Sequence, residues 1–137
     1  TRVLDAFAGT GALGLEAVSR GAAHVTFLDN HAAALTACRD NIRTLAEEAR
    51  CEVIAGDAQR PPRTAQPCDL VLMDPPYGLG LAGPALTALR AAGWLAPGTL
   101  VVVELMTAEE FVAPAGFAML DARKYGKARL VFLRAEG

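Results

Sequence analysis

Short, almost wholly apolar runs alternate along the chain with stretches whose apolar residues recur every three or four positions. Buried strands separated by amphipathic helices give this pattern. Arg2–Phe7 reads as a strand, followed by a glycine-rich loop and a helix near Ala12–Arg20 that Gly21 can end. His24–Asp29 is a second strand, and Leu35, Cys38, Ile42 and Leu45 place a helix over about His31–Ala46. A short strand at Glu52–Ala55 stops at Gly56-Asp57, and the prolines of QRPPRTAQP predict a loop. Asp69–Met73 is a strand, Leu81–Ala92 a helix, GWLAPG a turn, and Thr99–Glu104 a fifth strand. Phe117–Lys124 and Ala128–Arg134 flank Tyr125-Gly126-Lys127 with no room for a helix, so they are predicted to pair as an antiparallel hairpin. The alternation predicts one α/β domain over residues 1–137, a mostly parallel sheet with an antiparallel end.

Open sheets of this kind bind ligands beyond the carboxyl ends of their strands. Asp5, Asp29, Asp57, Asp74 and Glu104 all fall at such ends. One acid there can cap a helix, but five exceed what capping needs. In FAGTGALG, Gly9, Gly11 and Gly14 take the G-x-G-x-x-G spacing between a strand and a helix. Such a loop lets backbone approach a ligand and aims N–H groups at negative charge, while Asp29, about twenty residues on, is placed to accept from ribose hydroxyls. NAD and S-adenosylmethionine both carry that ribose. Asp5 separates them, because a carboxylate at the loop repels a pyrophosphate and attracts an ammonium group. Asp57 is positioned to accept from an adenine amino group, and 137 residues leave no space for a dehydrogenase's substrate domain. The reading favours S-adenosylmethionine.

A second motif is LVLMDPPYGLG, in which an apolar strand runs into an acid, two prolines and an aromatic. Asp-Pro and Pro-Tyr-Gly are also ordinary turn chemistry. With a methyl donor in the crevice, the motif gains a chemical meaning. An exocyclic amine of a purine is a poor nucleophile, since its lone pair is delocalised into the ring. The Asp74 carboxylate and the Pro75 carbonyl would accept its two N–H groups, and Tyr77 would offer a face for stacking. The prolines restrict the backbone and preorganise the acceptors.

Composition narrows the field. The chain is 53% hydrophobic, enough for a real core, and has no apolar run of membrane-spanning length. Cys38, Cys51 and Cys68 are widely spaced, without a CxxC or a Cys/His ligand set, which fits reduced thiols in a cytoplasmic protein without metal. Net charge is −2, so no basic field advertises nucleic-acid binding. Arg123, Lys124, Lys127 and Arg129 gather at the last hairpin, where a solvated turn accounts for them. Trp94 and Met73 read as core.

DAFAGTGALGLEAVSRGA, FLDN, GDA, LVLMDPPYGLGLAGPAL, GWLAPGTLVVVE and RKYGKARLVFL together resemble the RsmD-type methyltransferases, over essentially the whole chain. The resemblance implies a Rossmann-like class I methyltransferase fold, with seven strands in the order 3-2-1-4-5-7-6. It implies S-adenosylmethionine as cofactor, held by Asp5, Phe7, Gly9, Gly11, Asp29 and Asp57. It implies target-base contacts at Asp74, Pro75 and Tyr77, and guanine N2 of 16S rRNA, in the small subunit or its assembly intermediate, as substrate. The family carries a basic segment before its first strand, whereas this sequence opens on a strand without an initiator Met; a leading segment that contacts RNA is therefore expected to precede it. A DNA adenine-N6 methyltransferase shares the D-P-P-Y cradle but adds a target-recognition region. A protein-glutamine methyltransferase has Asn where Asp74 stands. A non-catalytic cofactor-binding assembly module would not need Asp74 intact.

Overall fold

The apolar runs become the inner strands of one seven-stranded sheet in a computed structural model that describes residues 1–137. Its strands are β1 (Arg2–Ala6), β2 (His24–Asp29), β3 (Cys51–Ala55), β4 (Cys68–Met73), β5 (Leu95–Met106), β6 (Phe117–Tyr125) and β7 (Ala128–Ala135). They lie in the order β3-β2-β1-β4-β5-β7-β6, as the family resemblance implied. The pairs from β3 to β5 are parallel, and β7 runs antiparallel to both β5 and β6. Three helices connect the parallel strands: α1 (Ala12–Ser19), α2 (Ala32–Thr44) and α3 (Ala82–Ala91).

Successive strand residues face opposite sides of the sheet, so each inner strand feeds two cores. On one face Val3, Val25 and Phe27 pack with Val18 of α1 and Cys38 and Ile42 of α2. On the other, Leu4, Leu28 and Val71 pack with Ala85, Leu86 and Leu89 of α3. All three cysteines are free thiols.

One expected boundary is corrected. GWLAPG is not a turn before β5, because the strand already begins at Leu95, which pairs with Cys68. A register shift opposite Cys68–Leu70 absorbs Pro97 and Gly98, whose φ is 94°. Thr99 Oγ1 donates to the Cys68 carbonyl at 2.7 Å and accepts from the Ala96 N–H at 3.1 Å, replacing ladder bonds that a proline cannot make. Trp94 is core, as expected, and its Nε1 donates to the Pro62 carbonyl at 2.8 Å, which ties down the proline loop before β4. A 3-10 turn at Glu48–Arg50, which the apolar pattern does not signal, precedes β3.

Gly14 lets α1 sit directly on the sheet. A Cβ there would stand 2.3 Å from Phe27 Cε1, a ring buried between strand and helix. Gly14→Ala is expected to destabilise the fold by about 1–3 kcal/mol through overpacking. Urea denaturation checks this, and an unchanged midpoint would show that the ring can move aside.

Candidate active site

The loop after β1 is shaped by left-handed backbone. Phe7 has φ 63°, followed by Gly9 at 58° and Gly11 at 88°. For a phenylalanine this conformation costs roughly 1–2 kcal/mol, so surrounding contacts must hold it. Ala8 N–H donates to the Leu28 carbonyl at 2.9 Å, Gly11 N–H to the Ala8 carbonyl at 2.9 Å, and Asn41 Nδ2 to the Thr10 carbonyl at 2.9 Å. The loop is thereby fastened to β2 and α2, and Phe7 lines the cleft above the sheet.

Asp5 is only 1% exposed. Its Oδ2 accepts from Gly14 N–H at 2.9 Å, taking one of the donors that the first turn of a helix leaves unpaired. Its Oδ1 is buried with no partner. Burial, partly offset by the Gly14 bond and reinforced by Asp74 and Asp29, pushes its carboxyl up to about 7.

Asp29 ends β2 with both oxygens engaged. Oδ2 accepts from Gly9 N–H at 2.8 Å, and Oδ1 accepts from His31 N–H at 2.9 Å. Partial burial pulls its pKa upward, but these backbone bonds and the His31 ring outweigh that and hold it below the usual carboxylate value. Asp57 turns the chain after β3, its Oδ1 accepting from Gln59 N–H at 2.8 Å.

The chain leaving β4, the strand beside β1, delivers Asp74, Pro75 and Tyr77. Pro75 is buried, whereas Asp74 is exposed to the cleft and Tyr77 is 47% exposed. The Tyr77 hydroxyl donates to Glu104 Oε2 at 3.1 Å, and Gly78 N–H donates to Glu109 Oε1 at 3.2 Å, fixing the loop against the end of β5. Partial burial, followed by hydrogen-bonding proximity to Glu104, raises the Asp74 carboxyl to about 6. The sequence places Glu104 at a strand end but attaches no chemistry to it. The available signal is register: Met73 pairs with Val103, so Asp74 and Glu104 leave the sheet side by side.

These walls enclose a cleft of about 330 Å³. Of the residues singled out from sequence, Phe7, Asp29, Asp57, Asp74, Pro75 and Tyr77 line it. Asp5, Gly9 and Gly11 do not; Asp5 lies within the loop's support, close enough to Asp74 and Asp29 for their charges to act on it. No cluster of three or more His, Cys, Asp or Glu is arranged to hold a metal ion, and no helix is long and apolar enough to cross a membrane.

A family described as Conserved hypothetical protein 95 matches residues 1–134. The chain belongs to this family. Its curated relatives include the Ribosomal RNA small subunit methyltransferase D of Haemophilus influenzae, 34% identical over 127 residues, 90% of this chain and 66% of that protein. The protein of the same name from Escherichia coli is 37% identical over 102 residues, 74% of this chain and 51% of its own length. This chain therefore spans between half and two thirds of these relatives. A crystal structure of a Haemophilus influenzae protein matches with TM-score 0.86 and 31% identity, covering 100% of this chain and 88% of that one. The RsmD-type resemblance carried by the motifs is thus matched by whole-chain similarity.

Proposed function

We propose that this chain carries the methyl-transfer chemistry of an S-adenosylmethionine-dependent rRNA methyltransferase that modifies the exocyclic N2 of a guanine in 16S rRNA. One observation carries the reading: Asp29 at the end of β2, Asp57 after β3 and Asp74 after β4 line a single cleft together with Pro75, Pro76 and Tyr77. The relatives named for small-subunit ribosomal RNA supply the substrate class. The choice of guanine N2 rests on the motif resemblance.

The residues suit the cofactor. The unpartnered Asp5 Oδ1 is a buried acceptor awaiting a cationic donor, which an ammonium group would be. Asp29 would hold the ribose hydroxyls, Asp57 the adenine amino group, and Phe7 the flank of the adenosine, while Gly9 and Gly11 keep the loop free of side chains. When bound, S-adenosylmethionine supplies an electrophilic methyl group on a sulfonium. Asp74 and the Pro75 carbonyl would accept the two N–H groups of the target amine, which draws the nitrogen toward tetrahedral geometry and turns its lone pair into the cleft. Tyr77 would stack on the base, as aromatic side chains do with an unstacked nucleotide. After transfer the nitrogen carries a positive charge and gives up one proton, which Asp74 can take. With a pKa of about 6, Asp74 is ionised at neutral pH yet basic enough for that role.

Mass spectrometry of 16S rRNA from cells lacking the gene tests the proposal. One N2-methylguanine should disappear and return with the intact gene but not with Asp74→Ala. Loss of a methyladenine in DNA instead would overturn the substrate. A second expected result concerns the cofactor: Asp29→Ala should weaken S-adenosylhomocysteine binding by about 1–3 kcal/mol, since it removes ribose acceptors and frees Gly9 N–H. Calorimetry measures it, and tighter binding of NAD than of S-adenosylhomocysteine would contradict the reading.

A further inference from the structure

Glu104 closes the GWLAPGTLVVVE stretch and does not itself line the cleft, yet its carboxylate holds the hydroxyl of Tyr77, which does. The β4–β5 register, Leu70 to Leu100 through Met73 to Val103, brings Asp74 and Glu104 out as adjacent residues on one sheet face. Across the other edge of β5, Glu104 pairs with Leu130 of β7, which offers no charge. None of the chain's ion pairs includes Asp74 or Glu104. Glu104 Oε2 accepts from the Tyr77 hydroxyl, while its Oε1 takes no donor from the protein. Partial burial and, after it, the neighbouring Glu104 raise the Asp74 carboxyl, and no cation offsets them. A ligand edge presenting two adjacent donors would relieve this.

Base chemistry narrows what such an edge is. In guanine, the carbon bearing the amine is bonded to N1, which carries a hydrogen. In adenine and cytosine, the ring nitrogen beside the amine-bearing carbon presents a lone pair. An acceptor next to the amine cradle therefore suits guanine alone among the base amines. We propose that Glu104 is a specificity-determining residue, accepting the N1–H of guanine while Asp74 accepts from N2, and repelling bases with a lone pair in that position. This inference rests on the guanine-N2 reading above and deepens it.

The test uses three synthetic RNAs of one sequence carrying guanine, 2-aminopurine or adenine as the sole purine. 2-Aminopurine keeps the N2 amine but has a lone pair at N1. It also lacks the guanine O6, so the variant rather than the wild-type ratio is decisive. The wild type should transfer methyl to guanine with a kcat/KM about 10- to 100-fold above that for 2-aminopurine, the range expected for a hydrogen bond to a charged group. In Glu104→Gln the amide oxygen can still accept from Tyr77, while its N–H group meets N1. That variant should lose transfer to guanine and gain transfer to 2-aminopurine, bringing the ratio near one, with S-adenosylhomocysteine affinity unchanged by calorimetry. Glu104→Asp should restore part of the guanine preference. Equal wild-type transfer to guanine and 2-aminopurine, an unchanged ratio in Glu104→Gln, or an equal loss on every RNA would overturn the role of Glu104 and leave the guanine-N2 reading standing. Transfer to adenine alone would overturn both.

Discussion

Replacing Asp74 with alanine is expected to lower methyl transfer by about two to three orders of magnitude, the scale seen when a preorganised group acting on developing charge is removed. Affinity for S-adenosylhomocysteine should be nearly unchanged, because the proposed cofactor contacts come from the ends of β1, β2 and β3 and not from the loop after β4. Tyr77→Phe should cost far less: it gives up the hydroxyl bond to Glu104 but keeps the ring. The pH profile gives an independent check. Asp74 is raised from 3.8 to about 6, so it is an acceptor only above that range, and kcat/KM should rise as pH passes through about 6. Burial acts on it first, and Glu104 of β5 is the charged group that raises it further. Glu104→Gln removes a negative neighbour, so the acid limb should move to lower pH in that variant. Near-full transfer by Asp74→Ala, with single-turnover rates measured at saturating cofactor, would mean that the amine is not held by this carboxylate.

Asp5→Asn is expected to separate cofactor binding from stability in opposite directions. Asparagine still accepts from Gly14 N–H, so the loop should keep its shape. The charge proposed to face the cofactor ammonium would be lost, and affinity for S-adenosylhomocysteine should fall about 10- to 100-fold. Stability should respond the other way. The folded carboxyl binds its proton more tightly than the unfolded one, about 7 against 3.8. The contribution of protonated Asp5 is therefore complete below about pH 4 and is lost as pH rises to 7. At pH 8 the wild type bears nearly the full cost of a buried, half-partnered charge, on the order of 4 kcal/mol. Asp5→Asn should then have the higher Tm at pH 8 and a smaller difference at pH 5. Saturating S-adenosylhomocysteine should narrow the gap if, as proposed, its ammonium partners the wild-type carboxylate. Undiminished affinity in Asp5→Asn would leave Asp5 as a loop support only, and a lower Tm at pH 8 would show that its charge is already compensated in the free protein.

The sequence by itself determined the elements, their order and the edge at which the site lies. Buried strands must be continuously apolar, helices must repeat every three to four residues, and a turn that packs a helix onto a strand needs small residues such as Gly14. Acids at the ends of such strands therefore announce a crevice, and Asp29, Asp57, Asp74, Pro75 and Tyr77 were all legible from position and residue type. Lateral neighbours were decided only in three dimensions. Whether Asp5 faces solvent or Gly14 N–H depends on how closely α1 seats on Phe27. That Asp29 already accepts from Gly9 N–H follows from the left-handed turn at Phe7, a conformation no residue pattern requires of a phenylalanine. The start of β5 at Leu95 depends on Thr99 bridging to Cys68, thirty-one residues away. Glu104 gains its place from the β4–β5 register, which aligns two strand ends thirty residues apart. Local patterning reports which face a side chain takes and where along a strand it falls. Strand order and register, set by the packing of the whole sheet, decide which charges meet.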